Sequence, residues 1–228
     1  MKVAFDEKDG FTRYLVSDFD DKYERLLEMC FYEKTKDGYS KRYPAGSKYL
    51  DRMMRRYSEY ASEMFDQLGY FTDVPWEKGL DAFCSLLEGS GVDWWLTGSC
   101  AACIRGVPLN PHDVDVMVDS ADVPALTEIL KDALIEPIAD TNGWLTKDFG
   151  VVFLHCRIDI ASDPSPALDC PNPADCGPYA RSRLETVTWR GHAIKVPPLE
   201  LQIGVNRARG RVDRVELMER FLSGPRAR

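Results

Sequence analysis

Two aspartates stand one residue apart in the segment His112-Asp113-Val114-Asp115-Val116, where they alternate with valines. Successive side chains of a β-strand point to opposite faces, so both carboxylates are predicted to share one face while the valines point into a core. Two carboxylates held this close raise each other's pKa. A magnesium ion relieves that repulsion, because it binds carboxylate oxygens together with substrate phosphates. The spacing therefore predicts a magnesium site at Asp113 and Asp115.

A turn of two small residues, Gly98-Ser99, ends the apolar run Trp94-Trp95-Leu96-Thr97 and precedes a predicted helix over residues 100–105. The first turn of a helix leaves backbone N–H groups without partners and carries the positive end of the helix dipole. Both features favour phosphate groups. The turn therefore predicts a polyphosphate site that lies beside the metal site.

Taken in this order, the two motifs resemble the signature of the nucleotidyltransferase superfamily, which has the polymerase-beta-like fold. The likeness covers roughly residues 76–222. The local sequence of both motifs is most similar to the bacterial branch of antibiotic, orphan and toxin-like nucleotidyltransferases. The resemblance implies an α+β fold with a mixed, twisted sheet. It also implies an enzyme that transfers a nucleoside monophosphate from an NTP, with ATP as the expected donor, to an acceptor hydroxyl and releases pyrophosphate.

The resemblance implies a third carboxylate on a strand next to the one that carries Asp113 and Asp115. Residues 151–160 are predicted to form that strand, and Asp159 lies on its polar face. Asp163 is the alternative, although it follows the point where the strand should end. By resemblance, Asp113 and Asp115 hold two magnesium ions, and Asp159 ligates the ion that activates the acceptor hydroxyl.

The resemblance also implies a helix in which a lysine follows a glutamate by about six residues and contacts the nucleotide. Here Glu200 is followed at that distance by Asn206, so Lys195 or Arg209 is expected to replace the lysine. The rest of the basic turn consists of Arg207, Arg209, Arg211, Asp213 and Arg214. The predicted nucleotide-binding residues are Gly98, Ser99, Arg105, Lys195 and Arg209.

The 228 residues suffice for one large domain or two small ones. The segment Phe71-Thr72-Asp73-Val74-Pro75 predicts a boundary between an accessory α+β module, residues 1–74, and the nucleotidyltransferase core, residues 75–228. In the module, Asp37-Gly38 predicts a hairpin. Helices are predicted over residues 20–29, 47–68, 76–87, 100–105, 121–131, from 198 onward and over 212–222, and strands over 2–5, 92–96, 143–145, 151–160, 184–189 and 192–196.

The composition favours a cytoplasmic protein without a membrane partner. The sequence has no run of eighteen apolar residues, and its beginning becomes acidic at Asp6-Glu7, too early for a signal peptide. Its seven cysteines are odd in number and lack the spacing of a disulfide framework. Cys100 and Cys103 are expected to pack as small apolar residues, since their neighbours are small and apolar.

Three functions compete at this stage. The first is a small-molecule nucleotidyltransferase of the antibiotic-modifying kind, whose acidic surface would suit a cationic acceptor. The second acts on tRNA or protein through basic clusters at residues 41–56 and 207–214. The third is a catalytically silent nucleotide-binding module, which the intact aspartates argue against. The net charge of −8 gives the small-molecule acceptor a slight preference. The oligomeric state is left open.

Overall fold

The computed structural model describes residues 1–224. Its first part is an antiparallel sheet of four strands with two helices. The strands are β1 (Lys2–Lys8), β2 (Phe11–Ser17), β3 (Glu33–Thr35) and β4 (Gly38–Pro44), in the order β1-β2-β4-β3. The predicted hairpin at Asp37-Gly38 is confirmed, because Thr35 pairs with Gly38. Gly38 has φ +139°, and a Cβ there would overlap the carbonyl oxygen of Val16, so only glycine fits this position.

The two helices of this part are α1 (Glu24–Met29) and α2 (Leu50–Leu68), and α2 ends at Gly69 as predicted. A short 3-10 turn occupies the start of the predicted 20–29 helix. One face of α2 is buried at helical spacing and packs between this four-stranded sheet and the five-stranded sheet that follows it in the chain. Its buried residues are Met53, Tyr57, Ala61, Met64, Phe65, Gln67 and Leu68.

The second part is a mixed sheet of five strands, and it confirms the predicted α+β fold. After α3 (Trp76–Leu87) come β5 (Trp94–Thr97), α4 (Gly98–Cys103), β6 (Val114–Val118), α5 (Val123–Ile129), β7 (Leu134–Asp140), β8 (Asp148–Leu154) and β9 (Cys156–Ser162). The strand order is β5-β6-β9-β8-β7. β6 and β9 are parallel, and the other neighbouring pairs are antiparallel.

The predicted single strand over residues 151–160 is wrong, because the chain reverses at His155. That residue has φ +62°, and Leu154 on β8 pairs with Cys156 on β9. The apolar alternation continues across this one-residue turn, so period two alone could not reveal the reversal. The strand predicted at residues 143–145 is also wrong, since these residues lie in the loop between β7 and β8.

Strand β7 was missed because it contains Glu136 and Pro137, which are uncommon inside strands. It lies at the edge of the sheet, where a proline is tolerated because no partner needs its missing N–H. Helix α5 is shorter at both ends than the predicted 121–131 helix, and α4 begins two residues earlier than predicted.

The last part contains a short helix, a hairpin and two further helices. They are α6 (Pro178–Arg181), β10 (Glu185–Trp189), β11 (His192–Val196), α7 (Leu199–Ala208) and α8 (Val212–Ser223). The hairpin and both long helices agree with the prediction. Apolar residues of α7 and α8 pack against Ala102 of α4. This packing places the turn between α7 and α8 next to Gly98-Ser99.

Residues 1–74 and the mixed sheet share a hydrophobic cluster. Tyr14 and Tyr57 pack with Ile135 and Phe153, and the Tyr14 hydroxyl donates a hydrogen bond of 3.0 Å to the carbonyl of Ile135. The division of the chain at residues 74/75 stays a prediction. Within residues 1–224 no helix is both long and apolar enough to cross a membrane.

Candidate active site

Three carboxylates, those of Asp113, Asp115 and Asp159, meet where β6 and β9 run side by side. The parallel register sets Asp115 opposite Asp159, and Asp113 lies just before β6 on the same face. Each residue offers an oxygen, and these oxygens all lie within 4.8 Å of one another. Asp163 lies elsewhere, at the end of the sheet, and accepts a hydrogen bond of 3.0 Å from the backbone N–H of Ser120.

The carboxylate cluster is electrostatically strained. Burial and the neighbouring Asp159 raise the pKa of Asp113 to about 7. Burial, followed by the charges of Asp113 and Asp159, raises the pKa of Asp115 well above its usual value. These shifts show that ionising the cluster costs free energy in the absence of a cation. Three carboxylate oxygens at this separation fit a hard divalent cation such as magnesium.

Arg157 holds the third carboxylate in place. Its guanidinium is buried and donates from Nε to Asp159 Oδ1 at 2.6 Å and from Nη2 to Oδ2 at 3.2 Å. Such a two-point contact fixes the plane of a carboxylate. The remaining nitrogen lies 3.4 Å from Cys30 Sγ and 3.9 Å from Met64 Sδ. Residues of the first 74 therefore help to bury the arginine that orients Asp159.

Sequence reasoning missed this role of Arg157, although a signal was present. Residues two apart on one strand share a face, so an arginine at i−2 from a candidate carboxylate can pair with it. The two-residue spacing is visible in Arg157-Ile158-Asp159.

Gly98 lies directly against the carboxylates. It has φ +64°, and a Cβ at this position would overlap Oδ2 of Asp115. Its carbonyl accepts a hydrogen bond of 2.5 Å from Nε2 of the buried Gln202 on α7. Glycine is therefore required both by the left-handed conformation and by the close approach of Asp115.

We expect Gly98→Ala to destabilise the protein by about 1–3 kcal/mol, since a left-handed non-glycine residue is strained, and to lower activity by displacing Asp115. Urea unfolding and nucleotide transfer would measure the two effects. Gly204→Ala is the matched control, because Gly204 lies in α7 and a Cβ there would meet no atom within 4 Å. It should leave activity unchanged and raise stability by about 0.5–1 kcal/mol. A Gly98→Ala protein as stable and active as the control would contradict this account.

Three arginines face the carboxylates across a cavity of about 140 Å³. Arg209, Arg211 and Arg214 line it together with Ser99, and Arg214 Nη1 donates to Ser99 Oγ at 3.2 Å. Within residues 1–224, none of the three forms a salt bridge. Burial and the charges of Arg214 and Arg209 lower the pKa of Arg211. A polyanion would relieve this repulsion, so the cavity suits a polyphosphate.

The predicted nucleotide-binding residues divide into two groups. Gly98, Ser99 and Arg209 line the cavity. Arg105 instead donates to Glu185 at 2.5 Å and to the carbonyl of Pro197 at 3.0 Å, and Lys195 pairs with Asp93 on the exposed surface. Neither Arg105 nor Lys195 lines a described cavity around the carboxylates.

Arg211 and Arg214 reach the cavity although the sequence singled out only Arg209 among them. The fourth arginine of this basic turn, Arg207, pairs with Glu219 instead. Of the basic residues near the end of the chain, Arg226 and Arg228 lie outside the described residues.

A second cavity, of about 280 Å³, opens on the Asp159 side of the carboxylates. Its walls are largely apolar and include Trp144, Phe149 and Met117, and Asp115, Asp159 and Arg209 also line it. We call it the acceptor-side cavity. The chain between β9 and α6 also contributes to it, through Leu168, Asp175 and Cys176. Burial raises the pKa of Asp175, whose carbonyl accepts a hydrogen bond of 3.0 Å from Thr97 Oγ1.

The fold and the site together have the arrangement that the resemblance to nucleotidyltransferases implies, with a turn that suits phosphates beside a carboxylate triad. Residues 80–152 of the 228 match the family model described as aminoglycoside-2''-adenylyltransferase. This stretch includes Gly98-Ser99, Asp113 and Asp115. The match confirms the predicted resemblance to the nucleotidyltransferase superfamily and the predicted enzyme class. No curated protein matches the chain.

Solved structures show partial likeness. A “putative nucleotidyltransferase”, TM1012 from Thermotoga maritima, is 21% identical with a TM-score of 0.46 and covers 63% of this chain and 90% of its own. The lincosamide antibiotic adenylyltransferase LnuA, bound to lincomycin, is 14% identical with a TM-score of 0.48. The match covers 65% of this chain and 98% of the LnuA chain. ANT(2")-Ia, in complex with adenylyl-2"-tobramycin, is 12% identical with a TM-score of 0.38 and covers 65% and 87%.

Proposed function

We propose that this protein is a magnesium-dependent adenylyltransferase that moves AMP from ATP to a hydroxyl of a small molecule. The observation that carries the proposal is the juxtaposition of the carboxylate triad and the three arginines on either side of Gly98-Ser99. Carboxylates for a metal and cations for phosphates are the two parts that phosphoryl transfer requires. The description of the matching family supports adenylyl transfer and a small-molecule acceptor.

The residues would work mainly by positioning and by neutralising charge. Arg209, Arg211 and Arg214 would bind the phosphates and the leaving pyrophosphate, with Ser99 as a further donor. Asp113 and Asp115 would hold the magnesium ions, and Asp159 would join them on the acceptor side. Bound magnesium supplies charge neutralisation at the phosphates and lowers the pKa of an adjacent hydroxyl. The Asp159 carboxylate, oriented by Arg157, would accept the hydrogen bond of that hydroxyl and align it.

The RNA-directed alternative finds less support. In the cluster at residues 41–56, Lys41 pairs with Glu136, Lys48 with Glu128 and Arg52 with Asp132. Arg56 donates to the carbonyl of Phe153 at 2.8 Å. These contacts neutralise or occupy four of the six cations of this cluster, and a nucleic-acid groove would need such cations free. The cytoplasmic location stays a prediction.

Labelled NTPs test the proposal directly. The protein would be incubated with magnesium and each α-labelled NTP, together with hydroxyl-bearing small molecules, with total cellular RNA, or with neither. We expect label from ATP to appear in the small-molecule fraction, and the transfer to stop when magnesium is chelated. Label in the RNA fraction alone would favour the RNA-directed alternative, and no transfer in any mixture would contradict both.

Asp159 rather than Asp163 is expected to be the third catalytic carboxylate. Asp159→Ala should lower kcat by at least about 100-fold while changing the ATP affinity little, because its partners are the acceptor and the ion next to it. Asp163→Ala is the matched control and should lower stability modestly through the lost bond to the Ser120 N–H, with activity retained. Steady-state kinetics and ATP titration would separate the two. A loss of activity confined to Asp163→Ala would overturn the assignment.

A further inference from the structure

A third concave surface lies between the N-terminal sheet and the β7–β8 edge of the mixed sheet. This aromatic cleft, of about 250 Å³, is lined by aromatic side chains from four separate segments: Phe11, Phe31, Tyr43, Trp144 and Phe149. Phe11 is 41% exposed, Phe31 57% and Trp144 45%. Large aromatic side chains that stay exposed around one concavity usually mark a binding surface.

The aromatic side chains of the cleft support one another. The rings of Phe31 and Trp144 meet edge to face with centroids 5.1 Å apart, and Trp144 meets Phe149 in the same way at 6.1 Å. The Arg42 guanidinium lies over the Phe11 ring at 5.8 Å. Because these contacts fix the rings, the cleft offers a preformed apolar wall to a flat group.

The aromatic cleft adjoins the active site. Trp144 and Phe149 line both the cleft and the acceptor-side cavity, which Asp115 and Asp159 also line. A molecule that presents a hydroxyl to Asp159 can therefore extend along these two rings into the cleft. This continuity points to a small-molecule acceptor, rather than to a second copy of the chain, as the occupant.

The charges of the aromatic cleft indicate what kind of group it takes. Its basic residues are Lys41, which pairs with Glu136 at 2.7 Å, and Arg42, which forms no salt bridge within residues 1–224. Its carboxylate, Asp140, accepts a hydrogen bond of 2.6 Å from the backbone N–H of Asn142. Within residues 1–224 Asp140 forms no salt bridge either, so its charge and that of Arg42 balance, and the cleft has no net charge that would attract a polycation. The aromatic wall suits an uncharged flat group.

We propose that the aromatic cleft is the outer part of the acceptor site and binds a flat, apolar and uncharged group that the acceptor carries away from its reacting hydroxyl. That the bound group belongs to the acceptor rests on the proposed function. The chemistry of the group rests on the cleft alone. It favours aromatic hydroxyl compounds over polycationic ones, in contrast to the cationic acceptor that the acidic composition suggested.

Binding experiments without turnover test the inference. 8-Anilinonaphthalene-1-sulfonate, a flat aromatic anion that fluoresces in apolar sites, would be titrated into the full-length protein with and without saturating ATP and magnesium. Two glucosides that share the same sugar hydroxyls, 2-naphthyl and methyl β-D-glucoside, would then be compared as competitors, with tobramycin as the polycationic competitor. The variants are Phe31→Ala and Trp144→Ala, and the control is Leu86→Ala, which removes a 45% exposed side chain outside the cleft.

We expect about one probe molecule per chain, bound at least about tenfold more weakly by Phe31→Ala and Trp144→Ala and equally by Leu86→Ala. The naphthyl glucoside should displace the probe at a concentration about tenfold lower than the methyl glucoside, ATP should leave it bound, and tobramycin should not compete. Displacement by ATP would assign the cleft to the nucleoside and overturn the inference. Unchanged probe binding by both variants would overturn it too. So would a smaller oligomer for Trp144→Ala than for the wild type, because the cleft would then be a contact between copies of the chain.

The experiments can refute the proposed function and the proposed role of the cleft independently of each other. If the protein transfers nucleotide but its probe binding is unaffected by Phe31→Ala and Trp144→Ala, the role of the cleft is refuted and the proposed function is not. Probe binding as expected in a protein that transfers no nucleotide would refute the function, and the cleft would then be a ligand site of the stated chemistry without an acceptor role.

Discussion

Asp113→Asn and Asp115→Asn should each lower nucleotide transfer by at least about 100-fold and yet raise the melting temperature of the metal-free protein. Activity falls because an amide binds magnesium less well than a carboxylate. Stability rises because burial and the neighbouring carboxylates raise the pKa of both aspartates, to about 7 for Asp113. A carboxyl whose pKa is raised by folding costs stability as the pH increases from its unfolded value, 3.8, through its folded value.

The sign of this change in stability determines the pH range in which it should be measured. In EDTA, the gain of Asp113→Asn over the wild type should be largest above pH 7 and should disappear towards pH 4, where the carboxyl is neutral in the folded protein. Saturating magnesium should stabilise the wild type and reduce the difference in melting temperature between Asp113→Asn and the wild type. Asp163→Asn, which keeps an oxygen for the Ser120 N–H, is the matched control and should change neither activity nor the pH dependence. Near-full activity of Asp115→Asn would show that the metal assignment is wrong.

Lys41→Met should destabilise the protein by about 3–5 kcal/mol, the range measured when one partner of a buried ion pair is removed. Glu136 is completely buried, and its carboxylate accepts hydrogen bonds from Lys41 Nζ at 2.7 Å and from the Tyr32 hydroxyl at 3.2 Å. Without Lys41 that charge would be left unpaired between the two sheets. Lys48→Met is the matched control, because its pair with Glu128 is exposed and should contribute about 0–1 kcal/mol.

Urea unfolding of the two lysine variants and of the double variant Lys41→Met/Glu136→Leu would measure these effects. The double variant should recover most of the lost stability, since an apolar pair leaves no unpaired charge. Equal losses in Lys41→Met and Lys48→Met would contradict the account.

The same pair predicts a pH dependence. Burial alone would raise the pKa of Glu136, but Lys41 and Arg157 outweigh it and lower the pKa below the usual 4.5. A carboxyl with a lowered folded pKa contributes stability above its unfolded pKa and loses that contribution as the pH falls through the folded value. The free energy of unfolding should therefore fall below pH 4.5 by more in the wild type than in the double variant.

Residues 1–74 lie outside the stretch that matches the family model, yet they contribute to the candidate active site. Cys30 and Met64 cover the Arg157 guanidinium that holds Asp159, and Phe11 and Phe31 form one wall of the aromatic cleft. Residues 1–74 thus affect both the orientation of Asp159, the proposed third catalytic carboxylate, and the proposed selection of the acceptor.

The sequence by itself determined the features that depend on local pattern. Period-two alternation placed Asp113 and Asp115 on one face, and Asp37-Gly38 marked its hairpin. Helical periodicity gave α3 and most of α2, since the spacing of apolar residues sets which face is buried. The Gly98-Ser99 turn also followed from the sequence, because its conformation is restricted to residues of this type.

Only the tertiary structure decided which distant groups share the site. Arg105 and Lys195 could have reached the phosphates by charge alone, but each lies nearer to a carboxylate of another element. The packing of α7 and α8 under α4 directs Arg211 and Arg214 to Ser99, and the reversal at His155 determines where Arg157-Ile158-Asp159 begins in β9. The aromatic cleft combines residues from Phe11 to Phe149. Such contacts depend on how elements pack in three dimensions, and periodicity within one segment carries no information about them.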